Sequence, residues 1–254
     1  MIMAKVLQSA RPYLKDRYLK DLVVGISLLA VELDNGEVGV SYVLRSALPQ
    51  GCSAFPYAQE LIGKPALEIA DWAVTGKDNL QRAIASATLG AASSALDLPA
   101  DKGKGLPFGL VAGENDTVGM IGLLPPVAEK LTKVVKKLIV FDEGVSLHGD
   151  KSKVYPLDRQ KDLLPTCEAV ILSGTTTINK SIDSLLGMCT KAREIVMYGP
   201  STPMFPEGFK ESRITRLAGA QWDKNYKEEI FKGISRACGV SYLSQYMFKK
   251  VVAV

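Results

Sequence analysis

The sequence holds one histidine, His148, and only four cysteines, Cys52, Cys167, Cys189 and Cys238, scattered with no C-x-x-C pair. This scarcity excludes zinc ribbons, zinc fingers and iron–sulfur sites, which need several closely spaced soft ligands. It also excludes a disulfide-stapled mini-domain, because such chains are short and dense in cysteine. No preformed metal site is expected; a cation held by the hard oxygens of Asp142, Glu143 and the Thr175–Thr177 cluster is the remaining alternative. Cys52 could serve as a nucleophile, but the lone histidine leaves it without an evident base, and a plain thiol is the simpler reading.

Long apolar runs are missing as well. None reaches the roughly 18 residues that span a bilayer, and the opening MIMAKVLQSARPYLKDRYLKD is too charged for a secretory signal. A soluble, cytoplasmic protein with no membrane partner is expected. Aromatics make up 7% and the formal charge is +4, with basic residues interleaved among acids. Neither base stacking nor a basic stripe is indicated, so nucleic acid is not expected as a partner.

What is present suffices for a real core: 254 residues, 47% of them hydrophobic and 23% charged. An amphipathic helix is predicted from Ala4 to about Lys20, interrupted near Pro12. Leu22–Leu33 and Glu37–Leu44 read as two strands joined by Asp34-Asn35-Gly36, a strong hairpin signal. An irregular loop, Arg45–Tyr57, precedes helices at Ala66–Val74 and Leu80–Leu96. The glycine-, proline- and charge-rich stretch Asp97–Asn115 reads as a boundary, giving an α+β cap over 1–100 and a second unit over 107–254.

From Thr117 the pattern is strand, helix, strand, the signature of a doubly wound, mostly parallel sheet. Strands are predicted at Val118–Gly122, Leu138–Phe141, Ala169–Ser173 and Ile195–Tyr198, with an edge strand at Ile214–Leu217 and a terminal helix from Asn225 to about Arg236. Ligands of such sheets lie outside the carboxyl ends of the strands, where the winding reverses. That rule selects Gly122–Pro126, Asp142-Glu143, Gly174–Asn179 and Gly199–Pro203. Pro125 and Pro126 suit the first positions of a helix whose N-terminus would receive an anion.

Two patterns come close to nucleotide motifs. Asp142 follows Gly122 by twenty residues, where a dinucleotide site places its ribose-binding acid, but the G-x-G-x-x-G fingerprint is absent. GTTTINKS at Gly174–Ser181 is a near miss to the P-loop, with Asn179 where the second glycine belongs. The competing reading is helix capping by Thr176 or Thr177 with Lys180 in solvent.

The motifs TVGMIGLLPP, LIVFDE, AVILSGTTTINKSIDSLL, AREIVMYGPSTPM and ITRLAGAQW resemble the bacterial and archaeal domain-of-unknown-function family labelled "putative heavy-metal chelation". The DNG hairpin, GCSAF, LIGKPALEIADW and NLQRAIASATLGAASSAL resemble the enolase-N-terminal-like cap that precedes that domain. The resemblance covers nearly the whole chain. It implies a Rossmann-like domain, partly similar to methyltransferases, with a pocket completed by cap loops. It further implies handling or synthesis of pterin-, flavin- or siderophore-like chelators. Carried over residue by residue, the implied ligand-binding positions are Gly122 and Pro125, Gly174, Thr175, Thr176 and Asn179, and Gly199, Pro200 and Ser201. Arg45 and Cys52 are added from the cap. Apart from the resemblance, Asp142 and Glu143 stand at a strand end where an acid can meet a ligand, and with Arg45 and Cys52 they are the candidates for any catalysis. The polar stretch Gly144–Arg159 departs from the family's pattern.

Three functions follow as expectations. The first is a small-molecule site at the domain junction, with condensation or hydrolysis of a polar heterocyclic, nucleotide-like or chelate ligand. The second is a non-catalytic module that holds a metal or metal chelate, and the third is a P-loop-like nucleotide hydrolase. Whether the chain is an enzyme is left open, as is a homodimer.

Overall fold

The computed structural model describes residues 1–45, 48 and 55–254. The chain opens with helix α1 (Ile2–Leu14) and strands β1 (Leu19–Val24), β2 (Leu28–Leu33) and β3 (Val38–Tyr42), followed by helices α2 (Ala66–Thr75) and α3 (Asn79–Ser93). The strands form an antiparallel sheet in the order β1-β2-β3. The Asp34-Asn35-Gly36 turn joins β2 to β3 as expected, and Gly36 supplies the φ of +82° that it needs.

Two expectations for this unit are corrected. The opening helix runs unbroken through Pro12, where an interruption is expected, and stops at Leu14 instead of reaching Lys20, the chain turning out through Asp16, whose φ is +58°. The apolar run Leu22–Leu33 is two strands rather than one. Gly25 N–H closes a tight turn onto Leu28 O at 2.9 Å, and Ile26, 59% exposed, keeps the run apolar in sequence while standing in solvent.

The second unit comprises β4 (Thr117–Ile121), α4 (Pro125–Thr132), β5 (Lys137–Phe141), α5 (Glu143–His148), α6 (Gln160–Leu163), β6 (Ala169–Ser173), α7 (Ile182–Met188), β7 (Glu194–Tyr198), β8 (Arg216–Trp222), α8 (Lys227–Ser235), α9 (Val240–Leu243) and β9 (Met247–Ala253). Its six-stranded sheet has the order β5-β4-β6-β7-β8-β9, parallel except for β8 with β9. The winding reverses between β4 and β6, which flank one another although β5 intervenes in the chain.

Both sheet faces are covered, so the strands read as continuous apolar runs. Along β6, Ala169 and Ile171 join one core with Val118, Met120 and Val196, while Val170 and Leu172 join the other with Ile195 and Met197. The sequence places an edge strand at Ile214–Leu217; the strand is instead β8, longer and internal, with β9 outside it. Within β8, Gly219 packs so closely on Met204 that a Cβ there would lie 2.5 Å from its Sδ.

The units are fused through their cores. Leu28, Ala30, Val38 and Val40 of the cap sheet pack with Trp222, Ile230 and Ile234, so α8 and the end of β8 close one side of that sheet. α3 closes the other, with Gly39 so near it that a Cβ would lie 1.9 Å from Ala87 O. No helix of the described residues is long and apolar enough to cross a membrane.

Candidate functional site

A crevice of about 580 Å³ opens beside the carboxyl end of β7, the middle of β8 and the loop that follows β4. That volume is within the usual range for a small-molecule site. Leu124, Pro126, Val127 and Lys130 line it from the start of α4, Gly199 and Pro200 from the loop after β7, and Tyr42 from the cap. Further walls come from Asp101, Gly103 and Gly105 to Phe108 of the linker, from Tyr198 and Ala218 to Ala220 of the sheet, from Val240, Ser241 and Ser244, and from Met247, Lys249, Lys250 and Val251 of β9.

The linker is held against β9 by backbone bonds: Asp101 N–H to Lys249 O at 2.9 Å and Val251 N–H to Pro99 O at 3.2 Å. Phe108 adopts a φ of +63°, unusual for a bulky residue and costing on the order of 1 kcal/mol. In return its ring stacks on Tyr198, with centroids 4.9 Å apart and planes 13° from parallel. Tyr198 donates its hydroxyl to Gly122 O at 3.0 Å. Burial, reinforced by nearby Tyr42, pushes its phenol pKa well above the ordinary value, so it stays neutral. Burial raises Tyr42 as well.

The expected site residues divide into groups. Gly199 and Pro200 line the crevice. Gly122, at φ +93°, forms the turn below it; a Cβ there would lie 2.9 Å from Tyr198 Oη. Asp142 clamps that turn: one carboxylate oxygen accepts Leu123 N–H at 2.7 Å and the other caps α5 by accepting Val145 N–H at 2.8 Å. Glu143 is exposed in the first turn of α5. Pro125 is exposed at the start of α4. This helix start presents no free donor, since two prolines are followed by Val127 and Ala128, whose N–H groups both reach Leu124 O. The anion-receptive terminus expected from the sequence is thus already satisfied internally.

The Gly174–Thr177 segment is a 3-10 turn whose hydroxyls face inward. Thr176 donates to Ser173 O at 2.7 Å, Thr177 donates to Gly174 O at 2.8 Å, and Thr175 Oγ1 pairs with Ser173 Oγ at 2.9 Å. Gly174 abuts the next loop so closely that a Cβ would lie 2.6 Å from Thr202 N. Asn179 is exposed, and its carbonyl accepts Ser181 N–H and hydroxyl. The left-handed residue is the neighbouring Lys180, at φ +61°, and α7 begins only at Ile182. Such a turn makes no cradle for phosphates.

Ser201 turns toward the cap. It is 1% exposed, accepts Tyr42 N–H at 2.9 Å, and shares a 3.0 Å hydrogen bond with Ser41 Oγ. Arg45 is exposed, and Cys52 lies outside the described residues, as does the side chain of His148. Sequence reasoning missed Tyr42, Phe108, Lys130, Tyr198, Lys249 and Lys250 as crevice residues. It also missed Arg82, which ties α3 to the threonine loop by donating to Ile178 O and to Gly76 O, the latter at 2.7 Å. The available signal for the crevice was LPFGL, an aromatic inside a glycine-rich linker.

A Rossmann-like sheet of order 2-1-3-4-5 with an antiparallel sixth strand, joined to a small α+β unit with a three-stranded antiparallel sheet, defines the class of this molecule. The chain belongs to the DUF364 family, described as "Putative heavy-metal chelation", which it matches over residues 106–253. Residues 7–93 match DUF4213, which carries the same description. An uncharacterized protein of Methanocaldococcus jannaschii is 31% identical over 115 residues, 44% of this chain. The match likewise spans 44% of that protein's own length. The crystal structure of a DUF364 protein of unknown function from Pyrococcus horikoshii aligns over 100% of both chains at a TM-score of 0.80 and 22% identity. One from Desulfitobacterium hafniense aligns over 99% of both at 0.78 and 18%. These likenesses establish the fold.

Proposed function

We propose that the crevice binds a small polar heterocyclic or chelator-type molecule, of pterin-, flavin- or siderophore-like character, between a cap unit of residues 1–100 and a sheet unit of 107–254. One observation carries the reading: Tyr42 of the cap, the linker and the loops after β4 and β7 converge on one cavity of about 580 Å³ at the carboxyl end of the sheet. Gly199 and Pro200 touch the ligand, and Gly122 and Asp142 hold the loop beneath it. The family's description supports a chelator as the ligand.

We assign binding and no reaction. Condensation or hydrolysis needs a general base within reach, and Asp101 is the one carboxylate among the described lining residues. It already accepts Gly103 N–H at 2.9 Å. The inward-facing threonine hydroxyls speak against nucleotide hydrolysis.

A thermal-shift panel of chelators, pterins, flavins and nucleotides tests the reading. A ligand at a hundredfold excess over Kd adds about 2.7 kcal/mol of stability. Val127→Trp, which fills the crevice from α4, should abolish the shift. Thr175→Ala with Asn179→Ala should leave it unchanged. A shift that persists in Val127→Trp, or a panel that never moves the melting temperature, refutes the crevice as the site.

A further inference from the structure

Charge of one sign surrounds the crevice. Lys130, Lys249 and Lys250 line it against a single carboxylate, Asp101. Lys250 Nζ donates to Leu98 O at 2.8 Å, so its position is fixed while its charge remains. Lys130 and Lys249 are exposed, and neither enters an ion pair among the described residues. Two further lysines, Lys102 and Lys104, flank Gly103 in the linker wall.

Metal-ligating chemistry is correspondingly thin. Among the described residues, no three His, Cys, Asp or Glu side chains come together in an arrangement that could hold a metal ion. Protonated lysines repel a bare divalent cation and have no lone pair to offer it. Tyr198 is a neutral phenol whose hydroxyl is already committed to Gly122 O. The donor set therefore does not fit a bare heavy metal, whatever the family's description suggests. The wall does hold a plane: the Phe108–Tyr198 stack, flanked by Leu124, Val127 and Met247. Stacked rings favour a further flat ring, and lysines at the rim favour an anion carried on it.

We propose that the crevice selects a planar aromatic anion, with Lys130 and Lys249 reading its charge and Phe108 its ring, and that a metal enters this crevice as part of such an anionic chelate. The proposal rests on the crevice being the ligand site. It assigns a role to the linker, which brings the ring of Phe108 to the wall and places lysines beside it. It also gives the family's description a different chemical meaning, in which the protein recognises the chelator and the chelator holds the metal.

Calorimetric titration of the full chain with four probes tests this. They are 2,3-dihydroxybenzoate, catechol (the ring without the carboxylate), tricarballylate (carboxylates without a ring) and cobalt(II) chloride. Dihydroxybenzoate should bind at least about tenfold more tightly than catechol or tricarballylate, and more weakly as salt rises, since exposed charges are screened within about 10 Å at 0.1 M. Cobalt alone should not saturate. Lys130→Gln and Lys249→Gln should each weaken dihydroxybenzoate by about threefold, the scale of one exposed charge pair, and flatten the salt dependence. Phe108→Leu should weaken both ring probes and leave the salt slope intact.

Saturable binding of cobalt alone, equal affinity for catechol, unchanged binding in both lysine variants, or no saturation by dihydroxybenzoate in the millimolar range would each overturn the proposal. Hydrogen exchange separates it from the reading beneath it. Protection by dihydroxybenzoate that falls far from residues 101–108 and 198–200 removes the crevice as the site. Protection there with indifferent lysine variants removes only the ligand class.

Discussion

Ser201 offers a sharp test of how cap and sheet are joined. Its hydroxyl lies 1% exposed between the two units, accepting Tyr42 N–H at 2.9 Å and pairing with the fully buried Ser41 Oγ at 3.0 Å. Tyr42 ends β3, and Val43 N–H bonds to Ser27 O on the β2 side, so Tyr42 N–H points away from its own sheet with Ser201 as its partner. Ser201→Ala leaves that N–H unpaired and strips Ser41 Oγ of its neighbour. An orphaned buried donor costs about 1–3 kcal/mol. Taking about 2 kcal/mol, a chain of this size should lose roughly 4–8 °C in Tm. Ser41→Ala keeps the bond to Tyr42 and should cost less than about 1 kcal/mol. In the Ser201→Ala background Ser41 is itself orphaned, so adding Ser41→Ala should cost almost nothing or recover stability, a coupling that a double-mutant cycle reads directly. Urea denaturation of the four proteins measures it. A Ser201→Ala loss below about 0.5 kcal/mol at constant m-value would refute the reasoning. A weakened ligand with unchanged stability would put Ser201 in the binding site instead.

Asp142→Ala removes both the clamp on Leu123 N–H and the cap of α5, and should cost about 1–2 kcal/mol in urea unfolding, with Asp142→Asn costing less. Gly39→Ala should cost more than about 3 kcal/mol or abolish soluble expression, because its Cβ would fall 1.9 Å from Ala87 O; Gly113→Ala, with nothing within 4 Å, is the neutral control. Arg193 holds the Asp116 carboxyl below its ordinary pKa through a paired contact at 2.7 and 3.0 Å. The stabilisation is therefore complete above about pH 4 and lost as pH falls through the lowered folded-state value, so Arg193→Gln should flatten the acid limb of a stability–pH curve. Burial pushes the Cys167 thiol up to about 11 and Cys189 up to about 12. Ellman's reagent at pH 8 should thus leave both unlabelled in the native protein while Cys238, part-exposed, reacts; labelling of Cys167 before unfolding would contradict their burial.

The parts of this fold legible in sequence are those in which one local signal decides. Ala169–Ser173 is bounded as predicted because a strand buried on both faces is an unbroken apolar run ending at a polar residue. The Asp34-Asn35-Gly36 turn is marked by Gly36, which takes the positive φ a short hairpin loop needs. What could not be read depends on partners distant in sequence. β9 contains Lys249-Lys250 and shows no alternation, and it becomes a strand because β8 offers a ladder and the linker covers its other side. The site behaves the same way. SGTTTIN and GPSTP look like ligand loops because hydroxyls beside glycines suit an anion. The same chemistry, however, satisfies a buried turn from within, as Thr176 and Thr177 do, or bolts two units together, as Ser201 does. Distinguishing these outcomes requires knowing which way each loop faces, and that is fixed by α3 and the cap sheet packing against it. The crevice walls, by contrast, come from residues whose types announce nothing: a phenylalanine in a linker, a tyrosine ending β7 and lysines on β9. They become a site only when the sheet brings β7, β8 and β9 side by side, and for this reason the substitutions that should decide this protein's function lie in the linker, on α4 and on β9 rather than in its most motif-like loops.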